Sequence, residues 1–202
     1  MSTASGASSP PRMDATERRE QILVCATRLF EERPHHDVST AEIAVAAGVA
    51  RPLVHHYFGT KRTLYLEVLR RLYFIPPLSP AGLPSGSLEA TVEVVLDRWL
   101  EGIWRHRNTW VATISVGGPG SDPDVAAIMR EADEVVADRL IEAIGLSADP
   151  DVARLRALVV AFGGLAKAST RQWLVAGTLE RSDVHRLLVA ALLTIVRDVY
   201  PR

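Results

Sequence analysis

The sequence predicts an all-α protein of about nine helices, four short ones followed by five mostly longer ones. Three observations carry that prediction. Apolar residues recur three and four apart along most of the chain, and no stretch alternates with a period of two. Hydrophobic residues make up 48% of the 202, mostly as Ala, Leu and Val, while aromatics are only 6%, a composition that favours packed helices over sheets. Pro and Gly fall between the periodic stretches, where they end helices.

The opening segment, residues 1–12, is Ser, Gly, Ala and Pro without periodicity, and is expected to be a disordered tail. Asp14 and Glu17 then stand three apart as a cap pair, followed by Ile22, Leu23, Ala26, Leu29 and Phe30 on one face, until Pro34. A second helix opens at Ser39, which Glu42 can cap reciprocally, and closes at Gly48, where a turn needs positive φ. A third runs from about Ala50 to Tyr57 with Pro52 in its first turn. Thr60 caps a fourth, which carries Leu64, Val68, Leu69 and Leu72 up to Pro76 and Pro77. Residues 76–87 hold four prolines and two glycines and are the strongest candidate boundary. Beyond them the spacing predicts helices over Leu88 to His106, Trp110 to Val116, Pro123 to Ile144, Asp149 to Ala176 and Asp183 to about Val199. The expected breaks are at residues 117–120, Gly145 and Gly177, and Ser182 is the expected cap of the last helix.

The formal net charge of −1 carries no signal for nucleic acid as a whole-chain property, so a basic surface would have to be local. Residues 1–75 carry a formal +2 and the remainder −3. A single cysteine, Cys25, excludes an internal disulfide and reads as a small buried helix residue, consistent with a reducing cytoplasm. Neither a signal peptide nor a membrane span is expected. The six histidines, His35, His36, His55, His56, His106 and His185, have no second carboxylate at a metal-ligand spacing. No nucleophile motif or phosphate-cradling glycine loop accompanies them, so neither enzyme, metal nor cofactor is expected.

Two short helices joined at Ala46 to Ala50, with a third packed before them, have the spacing of a helix-turn-helix, in which the second short helix lies in the DNA major groove. The segment from Ser39 to Leu69 closely resembles the DNA-binding domain of the tetracycline-repressor (TetR) family. The residues that carry the likeness are Thr40, Ile43-Ala44, Ala47-Gly48-Val49, the run His55 to Phe58, and Lys61. Two positions depart from the pattern: His55 and Tyr57 exchange the usual aromatic-then-histidine order, and Ala50 replaces the usual Ser or Thr cap. By motif the resemblance covers roughly Asp14 to Leu72, and beyond that it rests on helix number and on Trp173 before a final amphipathic helix.

The resemblance implies a helix-turn-helix domain at 13–60, a connecting helix at 61–75, a linker at 76–87 and a ligand-binding and dimerisation domain at 88–202. Arg51 is expected to read guanine O6 and N7, with Pro52 and Leu53 against a thymine methyl and Thr40, His55, Tyr57 and Lys61 on phosphates. Candidates for an apolar effector cavity are Trp99, Ile103, Trp110, Ile114, Ile128 and Phe162. The acidic residues Glu131, Asp133, Glu134 and Asp138 either attract a cationic ligand or form a solvated face, and the solvated face is the ordinary reading. Gly163, Gly164, Leu187, Leu188, Ala191, Leu192 and Ile195 are the expected homodimer interface. The glycine pair costs about 2 kcal/mol in a helix, so it has a packing or a ligand reason.

The function implied is a ligand-responsive regulator, a repressor by family expectation, that binds a palindromic operator as a dimer and is released by a small-molecule effector. The alternative is a helix-turn-helix regulator without a small-molecule ligand, whose C-terminal helices serve only pairing or protein partners.

Overall fold

A computed structural model describes residues 14–73, 84, 87–115 and 122–200. The expected tail, most of the expected linker and the expected break at residues 117–120 lie outside the described residues. Helix α1 spans Ala15–Glu32 and starts with the expected reciprocal cap: Glu17 N donates to Asp14 Oδ1 at 2.8 Å and Asp14 N donates to Glu17 Oε2 at 2.9 Å. A short 3-10 turn, His35–Asp37, leads to α2 (Thr40–Ala46), α3 (Arg51–Phe58) and α4 (Lys61–Tyr73). Helices α5 (Leu88–Arg105), α6 (Arg107–Ser115), α7 (Pro123–Ala143), α8 (Val152–Arg171) and α9 (Arg181–Thr194) follow. Helices α8 and α9 each continue for one wider π-type turn, over Gln172–Ala176 and Ile195–Val199.

Three helix starts differ from the sequence expectation. Helix α6 begins at Arg107 because only His106 separates it from α5, so the chain turns without a loop. Helix α8 begins at Val152 because Asp149 caps a preceding turn instead, accepting from Asp151 N at 2.8 Å. In α9 the cap is Glu180 rather than Ser182. Glu180 takes the extended backbone, and its N–H donates to Asp183 Oδ2 at 3.0 Å, which draws Ser182 into the first turn.

Two buried clusters organise these helices. The first holds Ile22, Ala26, Phe30, Val38, Ile43, Val54, Phe58, Leu64 and Val68, and makes α1 to α4 one head. The second joins α5, α7, α8 and α9 through Val92, Leu100, Ile141, Leu155, Leu188 and Leu192. Helix α6 lies at the seam, where Asn108 Nδ2 donates to the Glu31 carbonyl at 2.5 Å and Thr109 Oγ1 donates to Glu31 Oε1 at 2.6 Å. These bonds tie the end of α1 to the body. No helix among the described residues is long and apolar enough to cross a membrane.

Candidate nucleic-acid interface and the cavity behind it

Between α2 and α3 the backbone turns at Gly48, whose φ is +62° and beside which a Cβ would meet nothing within 4 Å. The requirement is therefore conformational rather than steric. The turn is closed by Gly48 N donating to the Val45 carbonyl at 3.1 Å and Val49 N donating to the Ala44 carbonyl at 2.9 Å, and the start of α2 is held by side chains. Ser39 Oγ accepts from Glu42 N at 3.1 Å, Glu42 Oε2 accepts from Ser39 N at 2.8 Å, and Arg33 donates to Glu42 Oε1 at 2.7 Å. With the Arg33 guanidinium and the Ser39 amide on it, the Glu42 carboxyl is held down to about 2.

Helix α3 presents two faces. Val54 and Phe58 are buried in the head, while Arg51, Pro52, His55 and His56 are exposed. Arg51, the first residue of the helix, has no hydrogen bond or ion pair among the described residues, so its guanidinium is available to an external acceptor. Leu53 and Tyr57 are half-buried, and Tyr57 packs against the head core. Ala50 contributes no side-chain cap, as its residue type requires. His55 Nδ1 donates to the Gly59 carbonyl at 3.1 Å, which closes the helix and leaves Nε2 for an outside partner. His56 was not among the sequence candidates, although its spacing four residues after Pro52 was a signal for the same face.

Two residues expected on phosphates are engaged within the head. Thr40 is only 8% exposed at the start of α2, and the capping oxygen there belongs to Ser39. Lys61 Nζ donates to the carbonyls of His35 at 3.0 Å, His36 at 3.3 Å and Val38 at 3.0 Å. An ammonium has three N–H donors, so all three are engaged in holding the 3-10 turn onto α4. His35 stacks on Tyr65 at a 4.1 Å ring separation, and burial together with the Lys61 charge lowers its pKa from the usual 6.5.

Behind the head, α4 to α8 enclose a cavity of about 810 Å3. Of the residues proposed from sequence, Trp99, Ile103, Trp110 and Phe162 line it, and Ile114 and Ile128 are placed elsewhere. Ile114 packs into the small cluster with Ile103 and Trp110, and Ile128, 1% exposed, is sealed within the core. Trp110 is fixed by its Nε1 donating to Thr170 Oγ1 at 3.1 Å and by edge-on contact with Trp99 at 5.8 Å. Tyr73, at the end of α4, also lines the cavity, and its hydroxyl hydrogen-bonds Thr113 Oγ1. Burial pushes the Tyr73 phenol pKa upward, so the hydroxyl stays neutral. At the other end of α4, Arg62 pairs with Asp122 Oδ1 at 2.9 Å and Asp124 Oδ2 at 2.7 Å, at the start of α7. Asp122 was legible in sequence only as a helix cap, and its partner lies sixty residues away.

Within the expected dimer face, Leu188 and Leu192 are fully buried inside one chain, and Gly163 is half-buried and lines the cavity. Gly164, Leu165, Ala168, Leu187 and Ala190 are exposed, and Ala191 and Ile195 are half-buried. Of the acidic residues, Asp133 pairs with Lys167, and Glu134 and Asp138 pair with Arg156.

Residues 22–68, the head just described, match the family model for bacterial regulatory proteins of the tetR family. A crystal structure of a TetR-family transcriptional regulator from Streptomyces coelicolor superposes with a TM-score of 0.75 at 28% identity, over 94% of this chain and 85% of that one. The chain carries the DNA-binding head of the TetR family. It is a DNA-binding transcriptional regulator, and the relatives it resembles are regulators rather than enzymes. One of them, the HTH-type transcriptional activator FasR of Mycolicibacterium smegmatis, is 29% identical over 81% of this chain and 75% of its own length. The HTH-type transcriptional regulator BetI of Brucella anthropi is 44% identical, but over 55 residues only, 27% of this chain and 28% of its own.

Proposed function

We propose that this protein binds a palindromic duplex operator as a homodimer, with α3 of each copy in the major groove, and that a small molecule in the cavity lowers its affinity for that operator. Domain by domain, residues 13–60 are the DNA-binding head, 61–75 the connecting helix and 88–202 the sensing and pairing part. The observation that carries the reading is the exposed Arg51, without a partner among the described residues, at the tip of a helix set between the Gly48 turn and the head core. An unpaired guanidinium on a rigid element is what bidentate recognition of guanine needs. Pairing is supported by the small and apolar surface of α8 and α9 at Gly164, Leu165, Ala168, Leu187 and Ala190, which lets helices approach closely. Coupling is supported by α4, one end of which lines the cavity at Tyr73 while the other carries Arg62, bound to α7.

A change in the separation of the two heads away from one DNA turn, about 34 to 36 Å, then removes them from successive major grooves. Occupied protein shifts to that population, so affinity falls without any blocked contact. The sign of regulation follows from the operator's position relative to the promoter. Repression is the outcome when the two overlap, and FasR, named an activator, is the contrasting case.

Selection of bound duplexes from a random pool tests the proposal directly, because it reports binding and half-site symmetry together. Two inverted half-sites about one turn apart are the expected result. Arg51→Ala is expected to cost about 1 to 3 kcal/mol and to relax one base pair per half-site. An enriched motif without inverted symmetry, or an Arg51→Ala protein with unchanged sequence preference, would overturn it.

A further inference from the structure

The charges that line the cavity are not balanced. Arg71, Arg98, Arg105, Arg139 and Lys167 stand against the carboxylates of Glu101 and Asp133 alone. Both carboxylates already face a cation: Asp133 accepts from Lys167 at 2.5 Å, and Glu101 lies 3.8 Å from Arg105. Arg71 is paired outward, with Glu20 of α1. Arg139 of α7 stands apart from these. It follows Val136 and precedes Leu140, both apolar walls of the cavity. It has no ion pair among the described residues, and its Nη1 is buried with no hydrogen-bond partner.

A buried guanidinium nitrogen that meets no acceptor carries the desolvation cost of a charge without the interaction that offsets it. Native structures seldom leave such a group unless something outside the chain satisfies it. A cationic ligand gains nothing here, since the two carboxylates are matched and the remaining charge is positive. A wholly apolar ligand would fill the space and leave Nη1 unsatisfied.

We propose that the cavity takes an amphipathic organic anion, whose apolar body lies against Trp99, Trp110 and Phe162 and whose anionic group accepts a charge-assisted hydrogen bond from Arg139. A volume of about 810 Å3 suits one such molecule, falling within the range of ordinary small-molecule sites. The inference rests on the effector-cavity reading above and adds the ligand's chemical class and the residue that selects it.

Two probes of nearly the same apolar shape test it on the full chain: anilinonaphthalenesulfonate, which is anionic, and N-phenylnaphthylamine, which lacks the sulfonate. Binding is followed by probe fluorescence and by quenching of the tryptophans. Wild-type protein is expected to hold the sulfonate at least about tenfold more tightly, the size of one charge-assisted bond. Arg139→Met should bring the two affinities within about twofold of each other while leaving the neutral probe's affinity unchanged, and Arg139→Lys should keep part of the preference. Unchanged operator binding shows that each variant is folded, and Arg139→Gln serves if the Met variant is not. Gly163→Leu, which projects an isobutyl group into the cavity beside Phe162, should weaken binding of both probes by at least about tenfold. A preference for the sulfonate that survives in Arg139→Met overturns the anion proposal and leaves the cavity reading standing. Failure of both probes to bind wild type, or equal binding by Gly163→Leu, overturns the cavity reading itself and the anion proposal with it.

Discussion

Gly163 and Gly164 sit side by side inside α8, yet the structure gives them opposite surroundings, and substituting each separates ligand binding from pairing. In a helix interior each glycine is about 0.8 to 1 kcal/mol less favourable than alanine. A Cβ on Gly163 would meet only Asp133 Oδ1, at 3.9 Å, and one on Gly164 would meet nothing within 4 Å of its own chain. Neither substitution therefore introduces strain within a single chain. Gly163→Ala should stabilise by about 1 kcal/mol, which for a chain of this length raises Tm by about 2 to 4 °C. Gly163→Leu keeps that gain and places three further carbons in the cavity, so operator affinity should persist while ligand response is lost. Gly164→Leu has the same helical gain but puts the added bulk on the exposed face of α8, so the protein should sediment as a monomer and lose operator affinity. Calorimetry and sedimentation at matched concentration read these outcomes, since the Tm of a dimer depends on concentration. A lower Tm for Gly163→Ala would refute the strain argument. A Gly164→Leu protein that remained dimeric would refute close approach of α8 in the pair.

Three further outcomes follow from the head and its attachment. Lys61→Met should leave three carbonyls at the His35–Val38 turn without their donor and destabilise the head by about 1 to 3 kcal/mol; the measurement is thermal melting, and a loss confined to the salt dependence of DNA binding would return Lys61 to the phosphate role. Because the pKa of His35 is lowered in the folded state, the unfolded chain takes up the proton first, so stability falls as pH drops below the ordinary 6.5. His35→Phe, which keeps the stack on Tyr65, should flatten that loss between about pH 7.5 and 5.5; melts of the two proteins that stay parallel across this range would contradict it. Arg62→Gln should leave ligand affinity intact but weaken the effect of ligand on operator affinity, because it cuts the pairing of α4 with Asp122 and Asp124; titrating operator complexes with and without ligand reads the difference, and an unaltered ligand effect would exclude the pair from the coupling.

Much of the head was legible before any coordinates, because its determinants are local. The Asp14–Glu17 and Ser39–Glu42 caps, the positive φ at Gly48 and the buried face at Ile22, Ala26 and Phe30 each depend on residues within about two helical turns. The exposed tip of α3 follows from the same periodicity once Val54 and Phe58 are turned inward. What the tertiary structure alone decided was pairing across long separations. The Arg62–Asp122 contact, the hold of Lys61 on three carbonyls, the division of Gly163 from Gly164 and the unmet Nη1 of Arg139 all depend on which helices face each other. A linear pattern gives each helix an inner face without naming the neighbour it meets. It therefore marked Leu188 and Leu192 as apolar and could not say that their contacts lie within one chain. The helix-turn-helix head is written in consecutive residues, whereas the cavity is written in the packing of α4 to α8.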